Sequence, residues 1–223
     1  MLRTRRLSAL IVGAFVTAAA FAAPPPVNEH PELHAIAGAV KAANLRATDA
    51  ALVGFGTRHT LSTTTSKTRG IGAARRWVAA RFSDISKGCG GCLQIVTPSQ
   101  VFTGGRMPKA GAEVMNVVAI QRGISDPDRV IVITAHLDSR RSDVMDATGD
   151  APGANDDGAG VAALIETARV LSKYKFPATL VYSADSGEEQ GLYGGKIIAQ
   201  YAVDHGWNVE ANLNNDMVGN SHG

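Results

Sequence analysis

Val130-Ile131-Val132-Ile133-Thr134-Ala135-His136-Leu137-Asp138-Ser139 is the stretch whose reading decides the fold. An uncharged β-branched run of this length is the pattern of a strand buried on both faces, as in a parallel sheet. The polar loop after it closes on Pro152-Gly153-Ala154-Asn155-Asp156-Asp157-Gly158-Ala159-Gly160. Val161, Leu164, Ile165, Ala168 and Leu171 then recur at helical spacing. Strand, acidic loop and helix make half of a βαβ unit. Sheets built that way place ligand chemistry just beyond the carboxyl ends of their strands. His136, Asp138, Asp156 and Asp157 all fall in that place.

Working outward, a second apolar run, Ala178 to Ala184, ends on Asp185-Ser186-Gly187-Glu188-Glu189, and Leu192, Ile197, Ile198 and Tyr201 mark a helix after it. A third run, Val209 to Leu213, ends on Asn214-Asn215-Asp216-Met217. Upstream, strands are expected over Leu93 to Thr97 and over Val114 to Gln121, with Asp126-Pro127-Asp128 as a turn. Leu33, Ile36, Ala37 and Val40 form a helical stripe, and a short helix is expected over Ala47 to Val53. From Gly70, the residues Ile71, Ala74, Trp77, Val78 and Phe82 line one helix face. Arg75, Arg76 and Arg81 lie mainly off that stripe and read as a solvated basic surface. His59, in the turn Gly54 to Thr60, reads as a solvated loop histidine. The chain has no internal repeats.

At 223 residues there is room for one α/β domain with a sizeable core, and 45% apolar and 19% charged residues are ordinary for a globular protein. Arg3, Arg5 and Arg6 ahead of an apolar run to Phe21, with a small-x-small site at Ala20-Phe21-Ala22, read as a secretory signal peptide over residues 1–22. Residues 23–223 would be the mature domain, secreted or periplasmic. Removing the leader removes three arginines and no acid, so the formal charge moves from +2 to −1. Nothing in that balance points to nucleic acid, and no later segment reads as a membrane anchor. Cys89-Gly90-Gly91-Cys92 reads as a local disulfide across a tight turn. A redox pair would open a helix after a strand, and a zinc knuckle would need further ligands nearby.

Each apolar run finishes on metal-competent side chains: His136 with Asp138, then Glu188 with Glu189, then Asp216. Singly, each has an ordinary explanation as a helix cap, a dipole partner or loop polarity. Together, on neighbouring parallel strands, they would crowd several carboxylates onto one rim, where they repel and hold protons unless a cation joins them. Imidazole mixed with carboxylates, without thiolate, suits zinc or a similar transition metal.

His136-x-Asp138, Pro152 to Asp157, Glu188-Glu189-x-Gly191-Leu192 and Asn215-Asp216-Met217 resemble, in order and rough spacing, the co-catalytic di-zinc aminopeptidases of the M28 peptidase family. The likeness is to its secreted bacterial leucyl-type members, and Gly56 to Thr60 and the helix from Gly70 look similar too. The resemblance implies a three-layer α/β/α sandwich around a mixed, mainly parallel sheet. It also implies zinc as cofactor: Asp156 bridging two ions, His136 and Asp216 completing one shell, and Glu189 ligating the other ion. By the same resemblance Asp138 orients the His136 imidazole, Glu188 is the general base, and the Asp156–Asp157 peptide is cis. The substrates implied are peptides with a free N-terminus, handled by a monomer.

Against that pattern the chain stops at Gly223. The family supplies a further zinc-ligating histidine and an oxyanion-stabilising tyrosine beyond the equivalent point, and neither His205 nor His222 reads as a substitute. The expectation is therefore an incomplete domain, inactive or weakly active alone, with an uncovered sheet edge. Two other readings share the scaffold: a single-zinc enzyme like the glutaminyl cyclases, and a non-catalytic binding domain. The acidic doublets and Gly191-Leu192 fit the aminopeptidases better than the cyclases. The retained ligands argue against a non-catalytic domain.

Overall fold

The structure is a computed structural model that describes residues 30–219. The expected leader, Pro24-Pro25-Pro26 and His222 lie outside those residues. In chain order the elements are helices α1 (Pro31–Gly38), α2 (Ala42–Val53) and α3 (Gly70–Gly88), then strands β1 (Gln94–Val96), β2 (Ser99–Phe102), β3 (Ala112–Met115), β4 (Val117–Gln121) and β5 (Asp126–His136). A kinked turn at Ala154–Gly158 leads into α4 (Ala159–Leu171), followed by β6 (Ala178–Asp185), α5 (Tyr193–Asp204) and β7 (Asn208–Asn214).

The β-branched run becomes the inner part of β5. It pairs in parallel with β6 on one side and β7 on the other, and the sheet order is β1-β4-β6-β5-β7. Only β4 runs against the rest, since it is antiparallel to both β1 and β6. Alternation along β5 gives each face its own core. Ile133 and Ala135, with Leu180, Tyr182, Val117 and Ala119, pack beneath α3 and α4 through Ile71, Val78, Phe82 and Leu164. Val130 and Val132, with Val181 and Val118, pack against Ile198 of α5, flanked by Tyr201 and Trp207. Helices on both sheet faces make the three layers the resemblance implies. All eight residues of β6 are buried, as an internal strand requires. Each fully buried large aliphatic or aromatic side chain contributes about 1.5–3 kcal/mol to that arrangement.

Several expectations change. The strand expected over Val114 to Gln121 divides at Asn116, which is wholly buried. Its amide donates to the Gly194 carbonyl at 2.9 Å and accepts the Ser186 N–H at 3.0 Å. Before that point β3 leaves the main sheet to pair with β2 in a separate ribbon. Asp126-Pro127-Asp128 is not a turn but the extended start of β5, and the pairing with β6 shifts register before Val130. Proline is tolerated there because the first residues of a strand need not donate to the ladder. The helix at residues 31–38 forms, yet its stripe is unburied, with Leu33 59% and Val40 46% exposed. Helix α2 begins at Ala42, five residues before the expected start.

A buried carboxylate explains the longer α2. Glu166 on α4 accepts from the Lys41 N–H at 2.7 Å, the Asn44 amide at 2.9 Å, and both Nε and Nη2 of Arg169, at 2.7 and 2.6 Å. Burial alone would raise the Glu166 pKa; these donors outweigh it and hold the group down to about 2. Its unfolded value is near 4.5, so the ionised form stabilises the fold above that pH, and the benefit is lost as pH falls toward 2. Glu166→Gln should therefore lower stability by about 2 kcal/mol at neutral pH. It should also flatten the acid limb of the unfolding curve, read by denaturant titration between pH 2 and 7. An unchanged acid limb would show that Glu166 does not anchor α2 to α4.

Candidate metal centre

Three parallel strands end at one rim, and the loops beyond them carry the acidic groups. His136 is the last residue of β5, Asp156 sits in the kinked turn before α4, and Asp216 follows β7 by two residues. The Asn215 N–H donates to the Thr134 carbonyl at 2.8 Å, holding the segment after β7 against β5. His136 Nε2 lies 3.0 Å from Asp156 Oδ1 and 3.8 Å from Asp216 Oδ1. One ligand atom from each of the three residues falls within 4.8 Å of the others. The imidazole is buried, whereas the Asp156 and Asp216 side chains are 48% and 39% exposed, so the cluster faces out from a supported base.

Asp157, wholly buried behind this cluster, ties its parts together. Its Oδ2 accepts the His136 N–H at 3.0 Å, and its Oδ1 accepts the N–H groups of Gly160 (2.9 Å) and Met217 (3.2 Å). One carboxylate thus links the end of β5, the first turn of α4 and the residue after Asp216. A side chain at Gly160 would run into both Asp157 oxygens and the Asn215 carbonyl, so that close approach needs glycine. The Asp156–Asp157 peptide is cis.

Asp138 faces His136 through both its carboxylate and its main chain. Its carboxylate is 3.7 Å from His136 Nδ1, while that nitrogen lies 3.1 Å from the Asp138 backbone carbonyl. The backbone carbonyl and the carboxylate of Asp138 both lie on the Nδ1 side of the ring. The Asp138 carboxylate also accepts the Thr60 hydroxyl at 2.7 Å and the N–H groups of Glu188 and Glu189 at 3.2 Å each. It fixes the backbone of the acidic doublet. Glu188 is only partly buried and lines the same groove as His136 and Asp216. Glu189 stands apart from the three-residue cluster, because Arg140 Nε holds its Oε2 at 2.5 Å.

The charge balance points the same way. Burial disfavours the charged imidazole, but the surrounding carboxylates, led by Asp138, lift His136 to about 10. Burial pushes Asp157 and Asp185 up to about 7, and raises Glu188 and Glu189 as well. The carboxylates around His136 favour positive charge at this place, and a divalent ion binding there would compete with protons. One imidazole and two carboxylates with an open side suit a zinc ion that keeps a free coordination position. The described residues supply such a set for one ion. The carboxylate expected to hold a second is engaged by a guanidinium.

Two basic or imidazole side chains expected in solvent are buried. His59 is enclosed, with Nδ1 accepting the Leu61 N–H at 3.1 Å and Nε2 3.0 Å from the Val144 carbonyl. Arg75 lies under the Glu188 loop, its Nε 3.4 Å from the Ser186 hydroxyl. Neither Thr60 nor Arg140 was singled out from sequence. A hydroxyl and a guanidinium in loops carry no spacing signal. A groove of about 580 Å³ runs from His136, Glu188 and Asp216 along α5 to Trp207 and Val209.

Residues 116–223 match Peptidase family M28. The matched segment takes in His136, Asp156, Glu188, Glu189 and Asp216. The chain is 47% identical over 192 residues to a probable zinc metalloprotease of Pyricularia oryzae, covering 86% of this chain and 38% of that protein. A similar protein of Leptosphaeria maculans is 45% identical over 192 residues, with 44% of it covered. The chain thus spans about two fifths of the length of the curated relatives it matches. These relatives are fungal, and the M28 match is to the family as a whole rather than to bacterial leucyl-type members. Among solved structures, the Legionella pneumophila LapA aminopeptidase superposes with a TM-score of 0.63 at 22% identity, over 88% of this chain and 48% of that one. Porphyromonas gingivalis glutaminyl cyclase gives 0.61 at 20% identity, over 81% and 60%. These two likenesses establish a shared fold for the M28 segment and its surroundings.

A cation that relieves the carboxylates should bind the folded form selectively. Zinc at about a hundred times its Kd should stabilise the chain by about 2.7 kcal/mol. Thermal melts with and without zinc measure this, and metal analysis should return one equivalent. His136→Ala should abolish the shift. A melt unmoved by zinc would count against the cluster as a metal centre.

Proposed function

We propose that the chain carries the metal-centre portion of a zinc-dependent aminopeptidase that hydrolyses the first peptide bond of substrates with a free N-terminus. One observation supports this above the others. His136, Asp156 and Asp216 are gathered within 4.8 Å of one another, and Glu188 shares their groove. The 47% identity to a probable zinc metalloprotease favours the same chemistry.

In this reading His136, Asp156 and Asp216 hold a zinc ion. Bound there, zinc supplies Lewis-acid polarisation of a carbonyl and brings the pKa of water toward neutrality. Glu188 is the general base. Its carboxylate takes a proton from the attacking water and returns it to the departing amine nitrogen. Burial raises the Glu188 pKa, which brings it closer to the range useful for proton transfer. Asp138 serves by fixing the main chain of Glu188 and Glu189, so the base is presented from a rigid loop. The exposed edge of Asp156 can receive the α-ammonium of a substrate, which restricts cleavage to the first residue. A second ion at Glu189, as the di-zinc resemblance implies, would require Arg140 to withdraw.

The single-ion donor set also favours a second reading, a cyclase acting on N-terminal glutaminyl peptides. Hydrolysis of a leucyl chromogenic substrate against cyclisation of a glutaminyl peptide separates the two. Export is proposed from the leader-like residues 1–22, and Cys89 and Cys92, a close pair with Cα atoms 5.6 Å apart, accord with an oxidising compartment. No helix among the described residues is long and apolar enough to cross a membrane.

Glu188→Gln should lower turnover by about 10²- to 10⁴-fold while zinc content stays at the wild-type level. Assays on the leucyl substrate, with metal analysis of the same samples, check both. Equal loss of zinc would make Glu188 a ligand rather than the base.

A further inference from the structure

Arg58 is the largest fully buried side chain among the described residues, and no carboxylate touches its guanidinium. Its three nitrogens donate to three main-chain carbonyls: Nε to Leu137 at 2.8 Å, Nη1 to Pro152 at 2.6 Å and Nη2 to Gly153 at 2.8 Å. Leu137 directly follows His136. Pro152 and Gly153 open the turn that carries Asp156. The Arg58 N–H also donates to the Ser139 hydroxyl at 3.1 Å, and that hydroxyl donates to the Ala151 carbonyl at 2.6 Å. The same residue thus ties the two ligand-bearing segments through its side chain and again through its main chain.

A buried guanidinium needs partners for its donors, and three main-chain carbonyls supply them. Here burial lowers the pKa only to about 10, because the fields of Asp138, Asp49, Asp157 and Asp156 oppose it, so the guanidinium stays charged at neutral pH. The planar fork of donors is what spans the two segments; a lysine ammonium in the same place lacks that fixed geometry. The approach is tight. A Cβ on Gly153, whose φ is +49°, would lie 3.1 Å from Arg58 Nη2.

We infer that Arg58 is a positioning residue for the metal centre: by bracing the Leu137 and Pro152-Gly153 carbonyls in one fork, it sets the separation of the His136 ring from the Asp156 carboxylate. This rests on the metal-centre reading above. Side chains that hold ligands in place typically govern metal affinity by about 10–100-fold.

The test compares Arg58→Lys, Ser139→Ala and a core control, Phe82→Leu, on the whole chain. Zinc affinity is measured by competition with a chromogenic chelator, and stability by melting the metal-free protein. Arg58→Lys should bind zinc about 10–100-fold more weakly. Phe82→Leu should melt earlier but bind as wild type does. Ser139→Ala, which keeps the buried cation and removes only the second tie, should weaken binding by a smaller factor; it carries the test if Arg58→Lys does not fold. Cobalt in place of zinc adds a spectroscopic readout, and an altered visible band in the Arg58 or Ser139 variant would report displaced ligands. The inference is overturned if either variant binds zinc as wild type does, or if affinity simply follows stability in all three. Failure of wild type to bind zinc at all would instead overturn the metal-centre reading.

Discussion

Like charge crowded onto one rim is the constraint around which the rest of the molecule is arranged. Parallel β6, β5 and β7 deliver Asp185, His136 and Asp216 to the same edge, and the turns beyond add Asp138, Asp156, Asp157, Glu188 and Glu189. Two unit charges 4 Å apart repel by about 4 kcal/mol at the effective dielectric of a protein surface. Several such pairs would exceed the whole stability of an ordinary domain. The fold meets this from behind with the buried guanidinium groups of Arg58 and Arg75, both of which feel the field of Asp138. From the front, Arg140 pairs with Glu189, and His136, Asp156 and Asp216 border the open side.

The two buried aspartates divide the work of holding the rim. Asp157 gathers the main chain around the three-residue cluster, from His136, Gly160 and Met217. Asp138 gathers the main chain of the acidic doublet and, through Thr60, the Gly187 N–H, which the Thr60 hydroxyl accepts at 3.0 Å. Hydrogen bonds from N–H groups to an ionised carboxylate stabilise by about 1.5–3 kcal/mol each. They are directional, so each aspartate sets backbone positions as well as charge. Asp156 and Asp216 stay exposed at their tips while the inner carboxylates hold the backbone beneath them. Separating support from exposure lets a reactive surface sit on a dry base.

Much of this was legible in the residues. The internal strands β5 and β6 each announce themselves by a β-branched or apolar run, and each of these two runs ends on a side chain found at the rim. That pattern survives because burial on both faces constrains composition strongly. What was not legible depends on tertiary partners. Asn116 splits a continuous apolar run only because its amide finds Gly194 and Ser186 across the fold. Helix α2 extends back to Ala42 only because Glu166, more than a hundred residues later, receives its first turn. Polar residues taken for surface, His59 and Arg75, are enclosed, and hydropathy carries no sign of where their partners lie. Asp138 beside His136 agrees with the two-residue spacing, whereas its contacts with Thr60 and the N–H groups of Glu188 and Glu189 come from loops that carry no spacing signal.

The acidic doublet shows why neighbouring identical residues take different parts. Glu188 and Glu189 share a backbone anchored on Asp138, but their side chains leave it in different surroundings. Glu188 opens onto the groove beside His136 and Asp216, and burial raises its pKa against the opposing field of His136. Glu189 is paired with Arg140, whose side chain is 38% exposed, while its own is 9% exposed. An exposed cation resting on a buried anion is an interaction that solvent can replace cheaply on one side only. Withdrawing Arg140 costs little for the arginine but leaves Glu189 uncompensated. Glu189 is thus the anchored member of the doublet, and Glu188 the one that opens onto the groove.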